Sequence, residues 1–164
     1  MATDTPESRF RTCGRSRAVR CDVYDYRSDA VVHVVICAAP SASLTADRLP
    51  ALIAEAIEFR CTKHNYRLFG YCIMPDHVHV LFSPADSSAG VETWLQRFKS
   101  YTAHEFVRRG GSPPLWQRSA YDHVCRDGET AETILAYIAN NPVRKGLVDR
   151  WQVWPWTRTF IQIG

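Results

Sequence analysis

Residues 66–82 read YRLFGYCIMPDHVHVLF, and this stretch decides the fold. Good strand formers fill its first half, the turn residues Met74-Pro75-Asp76 follow, and histidines alternate with valines in its second half. The pattern predicts two antiparallel strands joined by a short turn. Because successive side chains of a strand point to opposite faces, we expect both valines on one face of the sheet and His77 and His79 on the other.

The segments on either side of this hairpin extend the same sheet. Residues 31–37 form a β-branched apolar run, which predicts a strand buried on both faces, and His33 within it is interpreted as a satisfied core histidine. Residues 44–65 and 91–109 have the apolar spacing of helices, and residues 115–126 are extended. This order predicts an α+β, ferredoxin-like (split β-α-β) fold: a four-stranded antiparallel sheet, its first and third strands central, with two helices on one face.

A third helix is predicted after the fourth strand, capped by Asp127 or Thr130 and ending before Pro142, which disfavours helical geometry at the preceding residue. This added C-terminal helix can dock on the open face of the sheet. It carries Tyr137, and Asn141 follows four residues later, about one turn further along the same side.

Composition indicates one globular domain with a basic start. The chain has 164 residues, of which 46% are hydrophobic and 23% charged, and its net charge of +3 does not by itself indicate nucleic acid. Residues 1–29 are predicted to be a flexible basic arm, and residues 30–164 the folded domain. Residues 96–126 contain six basic side chains and only two acidic ones, which predicts either a phosphate-binding surface or an ordinary solvated face.

Cysteine usage and hydropathy indicate the compartment. The six cysteines form no close pair and the start MATDTPESRF is polar, so we expect free thiols, a reducing cytosol and a cytoplasmic protein. The densest apolar run, residues 30–39, is too short to cross a bilayer, and no membrane is expected as a partner.

The paired histidines predict a metal site when they are combined with the third helix. Two imidazoles and an amide oxygen suit a hard divalent ion such as Mg²⁺ or Mn²⁺, and Asn140 competes with Asn141 for the third position. A Tyr137 hydroxyl beside such an ion is a candidate nucleophile for phosphoryl transfer, because a covalent intermediate conserves the phosphodiester energy for strand joining. The alternative for each residue is packing: core histidines and a core or rim aromatic.

Several separated blocks resemble the single-tyrosine HUH transposases, and among them the REP-associated tyrosine transposases. The blocks are MPDHVH (74–79), LWQR (115–118), YIANNPVR (137–144) and GLV (146–148), and the resemblance runs from about residue 30 to 157. It implies a ferredoxin-like HUH domain and a divalent-metal-dependent endonuclease and transposase for single-stranded DNA. Such an enzyme recognises hairpins from palindromic repeats and forms a 5′-phosphotyrosine with a free 3′-OH.

The resemblance implies His77, His79 and Asn141 as metal ligands and Tyr137 as the nucleophile. The DNA-binding candidates come from the LWQR block, the basic stretch and the end of the third helix: Trp116, Arg118, Arg97, Lys99, Arg144 and Lys145. Trp116 either stacks on an unpaired base or packs in the core. The segment after the first strand lacks the polar, basic run expected of the family, and Cys72 has no family role.

Other functions remain open at this point. One is a domesticated DNA-hairpin-binding protein with little or no strand transfer. Another is a replication or mobilisation nuclease, although the chain has no helicase region. A plain RNA-binding module of this topology would not need the paired histidines. The expected partners are single-stranded DNA hairpins, and the protein is expected to be a monomer or a homodimer.

Overall fold

The computed structural model describes residues 30–84, 87, 89–124 and 129–163, and for residues 121–124 the backbone alone. The predicted arm at residues 1–29 and the candidate cap Asp127 therefore lie outside the described residues.

The strands pair into one antiparallel sheet of five strands. They are β1 (Val32–Ala38), β2 (Arg67–Ile73), β3 (His77–Ser83), β4 (Trp116–Val124) and β5 (Thr157–Thr159). Their order is β4-β1-β3-β2-β5, so the first four strands have the predicted ferredoxin-like arrangement and β1 and β3 lie inside the sheet. The prediction of four strands missed β5, a three-residue strand on the outer edge of β2, because so short a segment carries no readable alternation.

Two helices cover one face of the sheet. They are α1 (Leu49–Lys63) and α2 (Val91–Arg108), and both were predicted. The main hydrophobic core lies between these helices and the sheet. Buried residues of the strands and helices that form it include Val34, Ile36, Ile73, Val78, Val80, Phe82, Ile53, Ile57, Trp94 and Phe98.

The third helix, α3 (Ala131–Ala139), covers part of the other face. The Thr130 hydroxyl accepts a hydrogen bond from the Thr133 backbone N–H at 3.2 Å, which confirms Thr130 as a cap. Helix α3 ends at Ala139, before Pro142 as predicted, although Pro142 itself is helical. It lies in the first turn of a short helix, α4 (Asn141–Arg144), where its missing N–H is not needed.

A second, smaller core joins α3 to the sheet. Strand residues Phe69, Cys72 and Leu81 pack there against helix residues Ile134, Leu135 and Ile138. Cys72 also accepts a hydrogen bond from the Thr157 hydroxyl of β5, with an oxygen–sulfur distance of 3.2 Å. These contacts give Cys72 a packing role and fix the position of the helix that carries Tyr137.

The cysteine prediction holds for two described residues and fails for a third. Cys61 and Cys72 are free and buried, whereas Cys37 is disulfide-bonded. Pairing depends on which sulfurs the fold brings together, and spacing along the chain does not contain that information. Within the described part of the chain, no helix has both the length and the apolar character needed to span a membrane.

Candidate active site

Strand β3 carries both histidines of the DHVHV stretch into a buried position. Val78 and Val80 point into the core under α1 and α2, while His77 and His79 lie on the opposite face, as the alternation predicted. In the register of the sheet, His79 is opposite Val35 of β1, and His33 lies two residues away on the same face of β1. The histidines therefore share one side of the sheet with α3.

The three imidazoles form a chain of contacts. The Nε2 atoms of His77 and His79 lie 2.9 Å apart. The other ring nitrogen of each candidate ligand has a separate partner, since Nδ1 of His77 is 2.6 Å from Oδ1 of Asp76 and Nδ1 of His79 is 2.9 Å from Nε2 of His33. The two Nε2 atoms thus lie next to each other, and each Nδ1 atom has a partner on the other side of its ring.

Asn141 completes this arrangement from the start of α4. Its side chain is 2% exposed, and it lies close enough to the His79 ring to raise the pKa of that ring. Its Nδ2 donates to the carbonyl oxygens of Tyr137 and Ile138, both at 3.2 Å. Asn140, the competing candidate, instead donates its Nδ2 to the Ala136 carbonyl at 2.9 Å, so Asn141 is the asparagine that lies beside His79.

Tyr137 lies one helical turn before Asn141 and is half-buried. The guanidinium carbon of Arg144 is 4.4 Å from the centre of its ring, which is the geometry of a cation–π contact. The charge of Arg144 is therefore held next to the tyrosine, where an incoming phosphate group would be attracted.

Burial keeps the His79 ring neutral. The pKa of His79 lies well below its ordinary value, first because burial penalises the charged ring, then because of the charges of His33, His77 and Arg144; the hydrogen bond with Asn141 opposes the shift. The pKa of Asp76 is lowered chiefly by its hydrogen bond with His77, with a smaller contribution from the positive charge of Lys145. A neutral His79 ring keeps a lone pair available for a cation.

The donor set fits a hard divalent ion with two imidazole ligands. No group of three or more His, Cys, Asp or Glu side chains in the described residues is arranged to hold a metal, so any ion here depends on two imidazoles and an amide oxygen. The 2.9 Å separation of the Nε2 atoms is close to that of neighbouring ligands around an octahedral ion with bonds of about 2.1 Å. The same distance also suits a hydrogen bond between the two rings.

The family described as Transposase IS200 like matches residues 26–141, a range that ends on the asparagine beside His79. The chain belongs to the IS200-like transposase family. Transposition and DNA binding, both expected from the sequence, are confirmed at the level of this family, and DNA cleavage is the enzyme activity that membership suggests.

Relatives and solved structures agree with this placement. The transposase is 28% identical over 131 residues to a Haemophilus influenzae protein with the provisional name REP-associated tyrosine transposase, covering 68% of this chain and 73% of that protein. A solved REP-associated tyrosine transposase bound to a REP hairpin has the same fold, with a TM-score of 0.69, 16% identity and 82% and 79% of the two chains covered. A provisionally named Deinococcus radiodurans transposase matches with a TM-score of 0.50 and 19% identity over 76% and 97% of the chains.

The DNA-binding candidates of the transposase fall into separate places. Arg144 lies against Tyr137, and Lys145 is close enough to Asp76 to lower its pKa, so both are beside the candidate active site. Arg97 is exposed on α2, where its Nη1 is 3.3 Å from Nε2 of His64, a residue of the helix layer across the sheet from the site.

The remaining three candidates meet where α2 passes the start of β4. Lys99 donates to the backbone carbonyls of Gln117 and Arg118, and Arg118 is exposed. Trp116 is 7% exposed, and its indole N–H donates to the Thr102 hydroxyl at 2.8 Å. Its ring belongs to the core, which favours packing over base stacking.

Two residues that contact the candidate ligands were not singled out from the sequence. His33 was expected to be a satisfied core histidine, and it is buried and hydrogen-bonded, but its partner is the candidate ligand His79. Asp76 was assigned to a turn, although its position next to His77 was a signal that a carboxylate could hold that ring.

Proposed function

We propose that the protein cuts and rejoins single-stranded DNA at hairpin-forming repeats, with Tyr137 as the nucleophile and a divalent ion, Mg²⁺ or Mn²⁺, held by His77, His79 and Asn141. One observation carries the proposal: the Nε2 atoms of His77 and His79 lie 2.9 Å apart, Asn141 lies beside His79, and the Asn141 amide donates to the backbone carbonyl of Tyr137. Family membership supplies DNA as the substrate class.

The covalent step follows from a tyrosine in this position. The Tyr137 oxygen attacks phosphorus as its hydroxyl proton is released, the bond from phosphorus to the 3′ oxygen breaks, and that oxygen takes up a proton. The products are a 5′-phosphotyrosine and a free 3′-OH, and no net hydrolysis occurs. In the reverse direction, a 3′-OH of a second strand attacks the phosphotyrosine, joins the two DNA segments and frees Tyr137.

Neighbouring residues support this chemistry. When bound, the ion would polarise the scissile phosphate and neutralise charge that develops on it. Arg144 holds a guanidinium over the Tyr137 ring and so favours a phosphate beside the tyrosine. The buried Asn141 side chain is fixed by two hydrogen bonds to the backbone of α3, which ties the candidate ligand to the helix of the nucleophile.

The hairpin substrate rests on the structural neighbour that is bound to a REP hairpin and on the Haemophilus influenzae relative of the same name. At 16% identity the match shows a shared fold, and we propose a hairpin as the DNA substrate of this chain. Arg144 and Lys145 would contact the phosphates next to the cleaved bond, because Arg144 lies on the Tyr137 ring and Lys145 lies near Asp76.

The experiment follows the covalent adduct. Single-stranded hairpins from palindromic repeats of the source genome, labelled at the 3′ end, are incubated with the protein and Mg²⁺ or Mn²⁺, and the mixture is resolved on a denaturing gel. We expect a labelled protein band with the native protein, and none with Tyr137→Phe or with a chelator. Tyr101→Phe is the matched control, because Tyr101 is 42% exposed on α2, on the other side of the sheet.

Two results would contradict the proposal. Cleavage by Tyr137→Phe at the native rate would show that Tyr137 is not the nucleophile. If the native protein binds the hairpin but cleaves it with neither Mg²⁺ nor Mn²⁺, the result would instead favour a hairpin-binding protein that has lost strand transfer.

A further inference from the structure

The chain of ring contacts extends one residue beyond the proposed ligands. His33 of β1 is fully buried, 46 positions from His79 in the sequence, and its Nε2 is 2.9 Å from the His79 Nδ1. The two rings stack with centroids 5.1 Å apart and an interplanar angle of 29°. His33 therefore contacts one side of the His79 ring while the Nε2 of His79 faces His77.

The two proposed ligands are held in corresponding ways but by different groups. Asp76 holds the Nδ1 of His77, and its side chain is 69% exposed. His33 holds the Nδ1 of His79 and is closed off from solvent. A partner on the second ring nitrogen is the usual way in which a protein orients a metal-binding histidine and selects its tautomer. A buried partner does so without competition from water.

We infer that His33 is a positioning residue that holds the His79 ring with its Nε2 directed at the cation. This inference rests on the proposed metal site. A ring that binds a cation through Nε2 carries its proton on Nδ1, so His79 donates to the Nε2 of His33. His33 must then accept through Nε2 and keep its own proton on Nδ1. His33 thus selects the tautomer of a neighbouring ring without touching the ion or the DNA.

Removing the acceptor should weaken metal binding while leaving the fold in place. His33→Leu fills a similar volume but accepts no hydrogen bond, so we expect Mn²⁺ to bind about 10- to 100-fold more weakly. His33→Gln places an amide oxygen near the position of the lost Nε2, and we expect its Mn²⁺ affinity to return to within about threefold of the native value, since only the acceptor is restored. A residue that served packing alone would show no such rescue by glutamine.

The measurement is a calorimetric titration of the DNA-free protein with Mn²⁺. Thermal unfolding checks that each variant is folded, and His104→Leu, an exposed histidine on α2, is the control expected to bind like the native protein. His77→Ala serves as the reference for a damaged site. If His33→Leu binds Mn²⁺ with native affinity while His77→Ala loses binding, the positioning role is overturned and the proposed function stands. If the native protein and His77→Ala bind equally, the metal site itself fails.

A second measurement needs no variant. In the protein with ¹⁵N-labelled histidines, saturated with diamagnetic Mg²⁺, long-range ¹H–¹⁵N correlation spectra report which ring nitrogen carries the proton. We expect the Nδ1–H tautomer for both His79 and His33. An Nε2–H tautomer at His33 under these conditions would overturn the inference, because that ring would then donate toward His79 and could not accept from it.

Discussion

A single methyl group at Gly70 should disturb the attachment of the nucleophile helix to the sheet. Gly70 lies on β2 beneath α3, at a point where the pairing of β2 with β3 shifts register. A Cβ at this position would lie 2.5 Å from Cδ1 of Leu135 and 2.6 Å from the backbone oxygen of Arg158. The glycine backbone is not in the left-handed region, so the effect of Gly70→Ala is steric rather than conformational.

The size of the effect follows from these two contacts. Ordinary carbon contacts are about 3.5–4.0 Å, so each neighbour must retreat by about 1 Å. Leu135 can yield by leaving its preferred rotamer, whereas the Arg158 oxygen belongs to β5, whose residues pair with Gly70 and Tyr71. Overpacking of this kind costs about 1–3 kcal/mol, and the reduced entropy of the unfolded chain returns about 0.4–1 kcal/mol. We therefore expect the free energy of unfolding to fall by about 1–2 kcal/mol.

Urea denaturation followed by circular dichroism measures this change, and the melting temperature should fall by about 2–8 °C. Gly90→Ala is the control, because nothing lies within 4 Å of its added Cβ and it loses only the mild preference for glycine at an N-cap. In the background of Leu135→Ala, the Gly70→Ala penalty should shrink by about 1 kcal/mol, since one of the two clashes is gone. Equal stability of Gly70→Ala and the native protein would refute the close packing of α3 on β2.

Three further outcomes follow from other contacts. Burial raises the pKa of the Cys61 and Cys72 thiols to about 12, so both stay neutral at pH 8. We expect iodoacetamide to alkylate neither thiol until urea is added, as measured by peptide mass spectrometry. Alkylation of the folded protein would contradict this. Thr130→Ala should lower the free energy of unfolding by about 1 kcal/mol and Thr130→Gly by only a few tenths; equal losses would argue against the cap. Arg144→Ala should weaken hairpin binding, measured by fluorescence anisotropy, and reduce its salt dependence by about one phosphate contact. Arg97→Ala makes the same change in charge and should alter neither quantity. Equal effects of the two substitutions would contradict the placement of the two arginines.

Local patterns in the sequence were sufficient for the elements and for the faces of β3. The helix predicted at residues 91–109 is Val91–Arg108, and the valines and histidines of DHVHV lie on opposite faces as expected. The spacing of Tyr137 and Asn141 likewise predicted neighbours on one helical side, and the Asn141 amide reaches the Tyr137 carbonyl. These predictions succeed because strand alternation and helical pitch are properties of the backbone itself, present wherever the element forms.

The tertiary structure decided the contacts between distant segments. Only the pairing of β1 with β3 brings His33 onto His79 across 46 positions, and only the docking of α3 and α4 selects Asn141 over Asn140. Because α2 packs against the start of β4, Trp116 lies in the core, whereas Arg97 of α2 lies on the other side of the sheet from the site. Strand order, register and helix docking depend on the packing of the whole chain, so the sequence by itself determined the candidate site residues, and the fold decided which of their atoms lie in contact.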